Sequence, residues 1–208
     1  MTPDESIFSI NETLGVIKER RSIRSFTKEG ITDEQIRILL QAGNEAPSAH
    51  NQQSWRFIVI RGEKKQHLAE MIVEGSVRFS KPSQALLRMS ARCIASAPVV
   101  IAVANSGDLI AHGTELFKVE KDLSHDFFRT MEIQSSAAAV QNLLLAATSL
   151  GLATVWLGIM FLMKDAVLAF LGEPDGEFMA IVPVGYASRI PNNGPSKLPL
   201  EMKVKYLD

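Results

Sequence analysis

The chain has 208 residues, 46% of them hydrophobic, enough to bury a large core and in keeping with a single domain over 1–208. Its 22 basic and 23 acidic side chains leave a formal charge of -1, which removes any chain-wide electrostatic drive toward nucleic acid or anionic lipid. The lone Cys93 excludes an intrachain disulfide, a cysteine-rich zinc site and a CxxC redox pair.

The amino terminus, MTPDESIFSI, lacks a basic stretch followed by an apolar core, and no apolar run approaches the roughly 20 residues that span a bilayer. A cytoplasmic protein without membrane contact is expected. Ser9 and Glu12 have capping-box spacing, so the first helix is predicted over 10–20. Thr32 and Gln35 repeat the device before a second helix that ends ahead of Pro47. A loop over 46–54 leads into a strand over 55–60, helices over 64–75 and 83–96, and a buried strand over 98–104. The more polar segment 105–126 reads as an insert. The run 133–150 is small or apolar on most faces and predicts a central helix packed on several sides. A third strand over 153–159, a helix over 164–171 closed by Gly172, and a fourth strand over 178–186 follow. The tail 188–208 holds three prolines and little periodicity, as expected of an extended segment.

Two segments carry chemistry. Arg20-Arg21-Ser22-Ile23-Arg24 offers three guanidiniums and a hydroxyl where a helix gives way to extended chain. Side chains at 20, 22 and 24 then share a face, and arginine forks suit phosphate oxygens. A solvated basic face is the alternative. The loop Ala46-Pro47-Ser48-Ala49-His50-Asn51-Gln52-Gln53-Ser54 is dense in amides and hydroxyls, which match the mixed N–H and C=O edge of a heteroaromatic ring. A polar turn that satisfies its own backbone is the alternative here. No GxGxxG follows a strand, and no Walker loop, GxSxG elbow or metal-ligand spacing of histidines or carboxylates occurs.

RRSIR, APSAHNQQSWRFIVI, QNLLLAATSLGLATVWLGI and VPVGYAS, in this order and spacing, resemble the landmarks of the nitroreductase-like FMN flavoproteins. The resemblance runs from Leu14 to the carboxyl terminus, apart from the insert. It implies an α+β fold, a mixed four-stranded sheet flanked by helices, and an intertwined homodimer with FMN at the subunit interface. It places Arg20, Arg21 and Ser22 at the FMN phosphate and ribityl chain, Arg24 near the flavin N1 and O2 edge, and Arg92 as a second basic position. Pro47, Ser48, Ala49 and Asn51 match a loop that packs on the flavin, partly across the subunit boundary. Trp156, Leu157, Gly158 and Ile159 match the stretch over the opposite flavin edge, with the Gly158 backbone near N5; many relatives carry a second glycine where Ile159 stands. Lys197 matches a basic residue that reaches the phosphate from the tail, and Pro195 stands where another is often basic.

The implied activity is ping-pong. NADH or NADPH gives a hydride to flavin N5, leaves, and is replaced by a nitroaromatic, quinone or similar small-molecule acceptor. No side chain is then needed as a dedicated acid or base, since the cofactor carries the chemistry. The same scaffold also serves reductive dehalogenation and flavin fragmentation in relatives, and a flavin sensor or store without turnover is the reading from another class. The insert, with His112, Phe117, His125, Phe127 and Phe128, lies where the family builds a variable flap over the flavin.

Overall fold

Four strands form one sheet in the order β1-β2-β4-β3: Trp55–Ile60 (β1), Val99–Asn105 (β2), Ala153–Thr154 (β3) and Glu177–Gly185 (β4). The computed structural model describes residues 7–117, 120–189 and 196–207. Every residue of β2 is buried, because helices cover both faces. Val100, Ala102 and Ala104 point into one core with Leu68, Ile72, Leu87 and Ile94. Val99, Ile101 and Val103 point into the other with Leu39, Val140 and Leu143. Strand alternation divides one continuous apolar run between two cores, which is why the strand reads as unbroken in the sequence.

The helices are α1 (Glu12–Glu19), α2 (Asp33–Asn44), α3 (Gly62–Gly75), α4 (Lys81–Ser96), α5 (Asp108–Phe117), α6 (Lys121–Ser149) and α7 (Lys164–Leu171). The Thr32–Gln35 capping box forms as expected. The one expected at Ser9 does not: Asn11 caps α1, its side chain accepting from the Leu14 amide at 3.0 Å. Asparagine at that position satisfies an orphan N–H as well as serine does. Gly172 closes α7 with φ 79°, as its position predicts. At Gly43, a Cβ would stand 2.9 Å from Phe57 Cζ, so glycine lets α2 approach the sheet.

Two expectations change. All paired strands are antiparallel, and parallel geometry is confined to the isolated bridge between Ser22 and Thr154. The strand expected over 153–159 ends at Thr154. Gly158–Met163 coils into a 3-10 turn that buries Met160 and Met163 in the core beside α4. Hydrophobic content alone could not separate a buried turn from a strand. The insert is helical: α5 lies within it, and its end is the first turn of α6, which is 29 residues long. In the described tail, only Leu200–Met202 turns, as one 3-10 segment. Among the described residues, no helix is long and apolar enough to cross a membrane.

Candidate functional site

The Arg20–Arg24 segment lies along the outer edge of β3. The Ile23 amide donates to the Thr154 carbonyl at 2.9 Å, and Thr27 then donates to Tyr186 at 2.9 Å. Ile23 and Phe26 are buried in the core, which turns Ser22 and Arg24 outward. Arg20, the C-cap of α1, is half-buried. Arg21 folds its guanidinium back onto the carbonyls of Lys18 and Arg20, occupying one nitrogen at the end of α1. Arg24 Nη1 in turn donates to the Ser22 carbonyl at 3.4 Å, so the cluster presents Ser22 and Arg24 outward and Arg20 half-buried, with one nitrogen each of Arg21 and Arg24 turned onto backbone.

Arg92 is linked to this group only through its neighbour, and it lines a groove between α3 and α4 with Gln66, Glu70 and Val73. The buried Cys93 thiol donates to the Arg24 carbonyl at 3.3 Å. Burial pushes that thiol up, against the opposing pull of Arg24 and then Arg92. Both guanidiniums thus stand near the end of α4. Two residues past Thr154, the Trp156 indole donates to the Met179 carbonyl at 3.3 Å, and the Leu157 amide donates to Ile181 at 2.9 Å. The Leu157 side chain is in the core, so any contact from it with a ligand runs through backbone, while Ile159 packs against the core and stays half-buried. Gly158 is exposed, and a Cβ there would meet nothing within 4 Å.

The loop over 46–54 is anchored separately. The Ala49 amide donates to Ser135 Oγ on α6 at 3.2 Å, and Ser48 Oγ accepts from Gln53 at 3.1 Å. Asn51 Oδ1 accepts from the Gln53 side chain at 2.8 Å. His50, Asn51 and Gln53 have φ of 52°, 53° and 51°. Left-handed backbone is disfavoured for non-glycine residues and clusters at functional loops. Pro47 is exposed, and Ser48 and Ala49 are half-buried. His50 meets Phe117 of α5 at 5.4 Å between ring centroids, and Phe117, Phe128 and Phe127 continue as neighbouring rings at 5.6 and 5.1 Å.

The loop and the arginine cluster sit at opposite corners of the sheet. Trp55, which follows the loop, pairs with Asn105 at one end of β2. Thr154 pairs with Val184, which pairs with Val99 at the other end, on the far edge. Three strand spacings and six residues along a strand separate them by roughly 14 Å across and 20 Å along. Lys197 is exposed in the tail, with no side-chain hydrogen bond among the described residues. Pro195 lies outside the described residues.

Sequence reasoning missed Glu132. It is 1% exposed on α6, accepts from the Leu109 amide at 2.8 Å, and faces Ser54 at the close of the loop. The signal was present as one carboxylate on a buried helical face shared with Phe128, Ser136 and Ala139. Burial, with Asp108 and Glu177 nearby, pushes its carboxyl above the usual range, although the Leu109 amide and Ser54 pull the other way. No three His, Cys, Asp or Glu residues are placed to hold a metal among the described residues.

Residues 17–186 match the model of the nitroreductase family. An Archaeoglobus fulgidus protein provisionally named NADH dehydrogenase/NAD(P)H nitroreductase is 34% identical over 180 residues, covering 85% of this chain and 86% of its own length. A nitroreductase with bound FMN from Desulfitobacterium hafniense is similar with a TM-score of 0.69 and 26% identity, covering 96% of this chain and all of that one. The nitroreductase CinD from Lactococcus lactis, solved with chloramphenicol, shares the fold at a TM-score of 0.77 and 18% identity, over 95% of this chain and 100% of its own. An arginine-bearing edge on β3, a strained amide loop on the long central helix and this sheet order thus occur in a chain that belongs to the nitroreductase family.

Proposed function

We propose that this chain is an FMN-dependent oxidoreductase that uses NADH or NADPH to reduce a nitroaromatic, quinone or similar organic acceptor, as a homodimer with FMN at the interface. The observation that carries the reading is the outward display of Ser22 and Arg24 on the β3 edge, with the half-buried Arg20 beside them at the end of α1. That donor set suits a phosphate dianion and the electron-rich edge of a reduced flavin. Bound FMN would supply the redox chemistry, accepting a hydride from the nicotinamide and then passing electrons to the acceptor in the same pocket.

The protein's own part is placement and charge. Arg20 and Ser22 would hold the phosphate and ribityl chain, and Arg24 would stabilise negative charge on the flavin N1 and O2 edge. Gly158 leaves room for close backbone approach beside N5. The corner-to-corner separation favours two copies of the chain, with Pro47, Ser48, Ala49 and Asn51 serving the ring held by the partner's arginines. In the tail, Leu200, Met202, Tyr206 and Leu207 are exposed apolar groups, as a segment that covers a second copy requires. Lys197 is carried there.

An anaerobic visible spectrum with added FMN tests this reading, first with NADH and then with NADPH. Bleaching of the oxidised band, followed by its return on adding a nitroaromatic or quinone, is expected. Flavin that binds without bleaching would favour a sensor or store. No flavin binding at all would remove the proposal.

A further inference from the structure

The amino-terminal end of α5 rests on a buried polar node that the flavin site does not use. Glu132 Oε1 accepts from the Leu109 amide in the first turn of α5, where N–H groups have no helical partner. Ser54, which faces the same carboxyl, also accepts on its carbonyl from the Ser106 amide at 2.9 Å, two residues before α5. Arg56 on β1 pairs with Asp108 at 3.0 Å. On the inner side, Ser136, one turn along α6, donates to Asn105, which stands opposite Glu177 in the sheet; Glu177 pairs with Arg129. Glu132 Oε2, Glu177 Oε2 and Asn105 Nδ2 have no hydrogen-bond partner among the described residues. The other end of α5 carries Phe117 against His50 of the loop.

We propose that Glu132 is a positioning residue: its carboxyl clamps the start of α5 to the end of the 46–54 loop and so fixes how the helix covers the acceptor face. This rests on the reading that α5 belongs to the flap over the flavin. A carboxylate in an apolar helix face is costly unless it does something apolar packing cannot. Here it adds a side-chain link from α6 to the place where Ser54 and Ser106 carry the β1–β2 ladder on into the loop and α5. Without that acceptor, the first turn of α5 has an unmet buried N–H, and the helix is held by Leu109, the Phe117–Phe128 contact, the Arg56–Asp108 pair, the Ser106–Ser54 bond and the Thr114–Ser124 hydroxyl contact.

Glu132→Met keeps length and removes the acceptor, while Glu132→Gln keeps an oxygen for the Leu109 amide. In hydrogen exchange followed by mass spectrometry, the Met variant should exchange α5 amides about tenfold faster or more while β2 amides stay protected. With FMN bound, KM for the acceptor and for the reduced nucleotide, which use the same pocket in turn, should each rise several-fold, with kcat within about twofold of the parent. The Gln variant should restore both. Unaltered α5 exchange in the Met variant, or a Gln variant that behaves like Met, overturns the proposal. If the Met variant does not fold, Ser54→Ala takes its place: a smaller rise in α5 exchange is expected, and no rise overturns the clamp. Exchange requires no turnover, so a failed clamp and a failed flavin reading are distinguishable.

Discussion

The Ile23 amide donates to the Thr154 carbonyl at 2.9 Å, and this bond, with those of Thr27 to Tyr186 and Ser188 to Ser25, sets the arginine cluster on the edge of the sheet. An edge strand of two residues offers unpaired backbone groups, and the Ser22–Ile23 segment fills them. The alternation that buries Ile23 then turns Ser22 and Arg24 outward.

Replacing Arg20 and Arg24 together by alanine should weaken FMN binding by about 100-fold or more, since each charge-assisted contact contributes on the order of 1.5–3 kcal/mol. Neither side chain is buried or forms an ion pair among the described residues, so thermal unfolding of the flavin-free protein should stay within about 2 °C. Titration by flavin fluorescence quenching measures the first. Unchanged affinity would remove the phosphate site.

Gly158→Val separates the fold from the site. A Cβ at 158 meets nothing within 4 Å and the position does not demand a positive φ, so stability should change by less than about 1 kcal/mol. The added methyls enter the space assigned to the flavin, so FMN affinity or the rate of its reduction should fall about tenfold. Normal binding and reduction would move the flavin away from Gly158.

If each site takes arginines from one copy and loop from the other, two defective variants should complement. Arg20→Ala/Arg24→Ala mixed with a loop variant such as Asn51→Ala, after unfolding and joint refolding, should regain about a quarter of the parental activity, because half the random dimers carry one intact site. No recovery, with mixed dimers shown to be present, would place loop and cluster in the same copy's site.

Lys65 is buried and donates to the Ala95 carbonyl at 3.0 Å and to that of Ala97, closing the end of α4. Burial lowers its ordinary value. Lys65→Met should destabilise the protein by about 1–3 kcal/mol through the Ala97 carbonyl left without its lysine donor, since Gln66 also donates to that of Ala95 at 3.3 Å. Urea unfolding measures it, and an unshifted midpoint would show that the cap is dispensable.

Stability should also depend on Glu132. Its folded carboxyl titrates above the ordinary 4.5, so between the two values the native state binds the extra proton. That contribution is fully present below the unfolded value and is lost as pH rises through the folded one. Urea midpoints should therefore fall over this window in the parent and fall less in Glu132→Gln. Parallel curves would show that Glu132 does not carry the dependence.

Much of the fold was legible because local rules and tertiary packing agreed. The Thr32–Gln35 box, the Gly172 stop, strand β1 and the buried run of β2 each follow from side-chain period or cap chemistry. The turn at Gly158 was not legible, because an apolar stretch entering a core has the same composition whether it runs straight or coils. The helical insert was hidden by polarity, since α5 draws support from Phe128 and Glu132 far along the chain.

The sequence by itself determined the family, the helix-flanked four-stranded sheet and the basic and amide-rich segments assigned to the proposed site, because patterning and motif order are properties of the chain. Only the tertiary structure decided that Arg21 turns back on α1, that Cys93 tethers Arg24, that Leu157 faces inward and that Glu132 supports α5. It also set the loop and the arginines at opposite corners of one sheet. These outcomes depend on strand register and on bonds between residues far apart in the chain, such as Ile23 with Thr154 and Thr27 with Tyr186, and local pattern carries no record of such pairings.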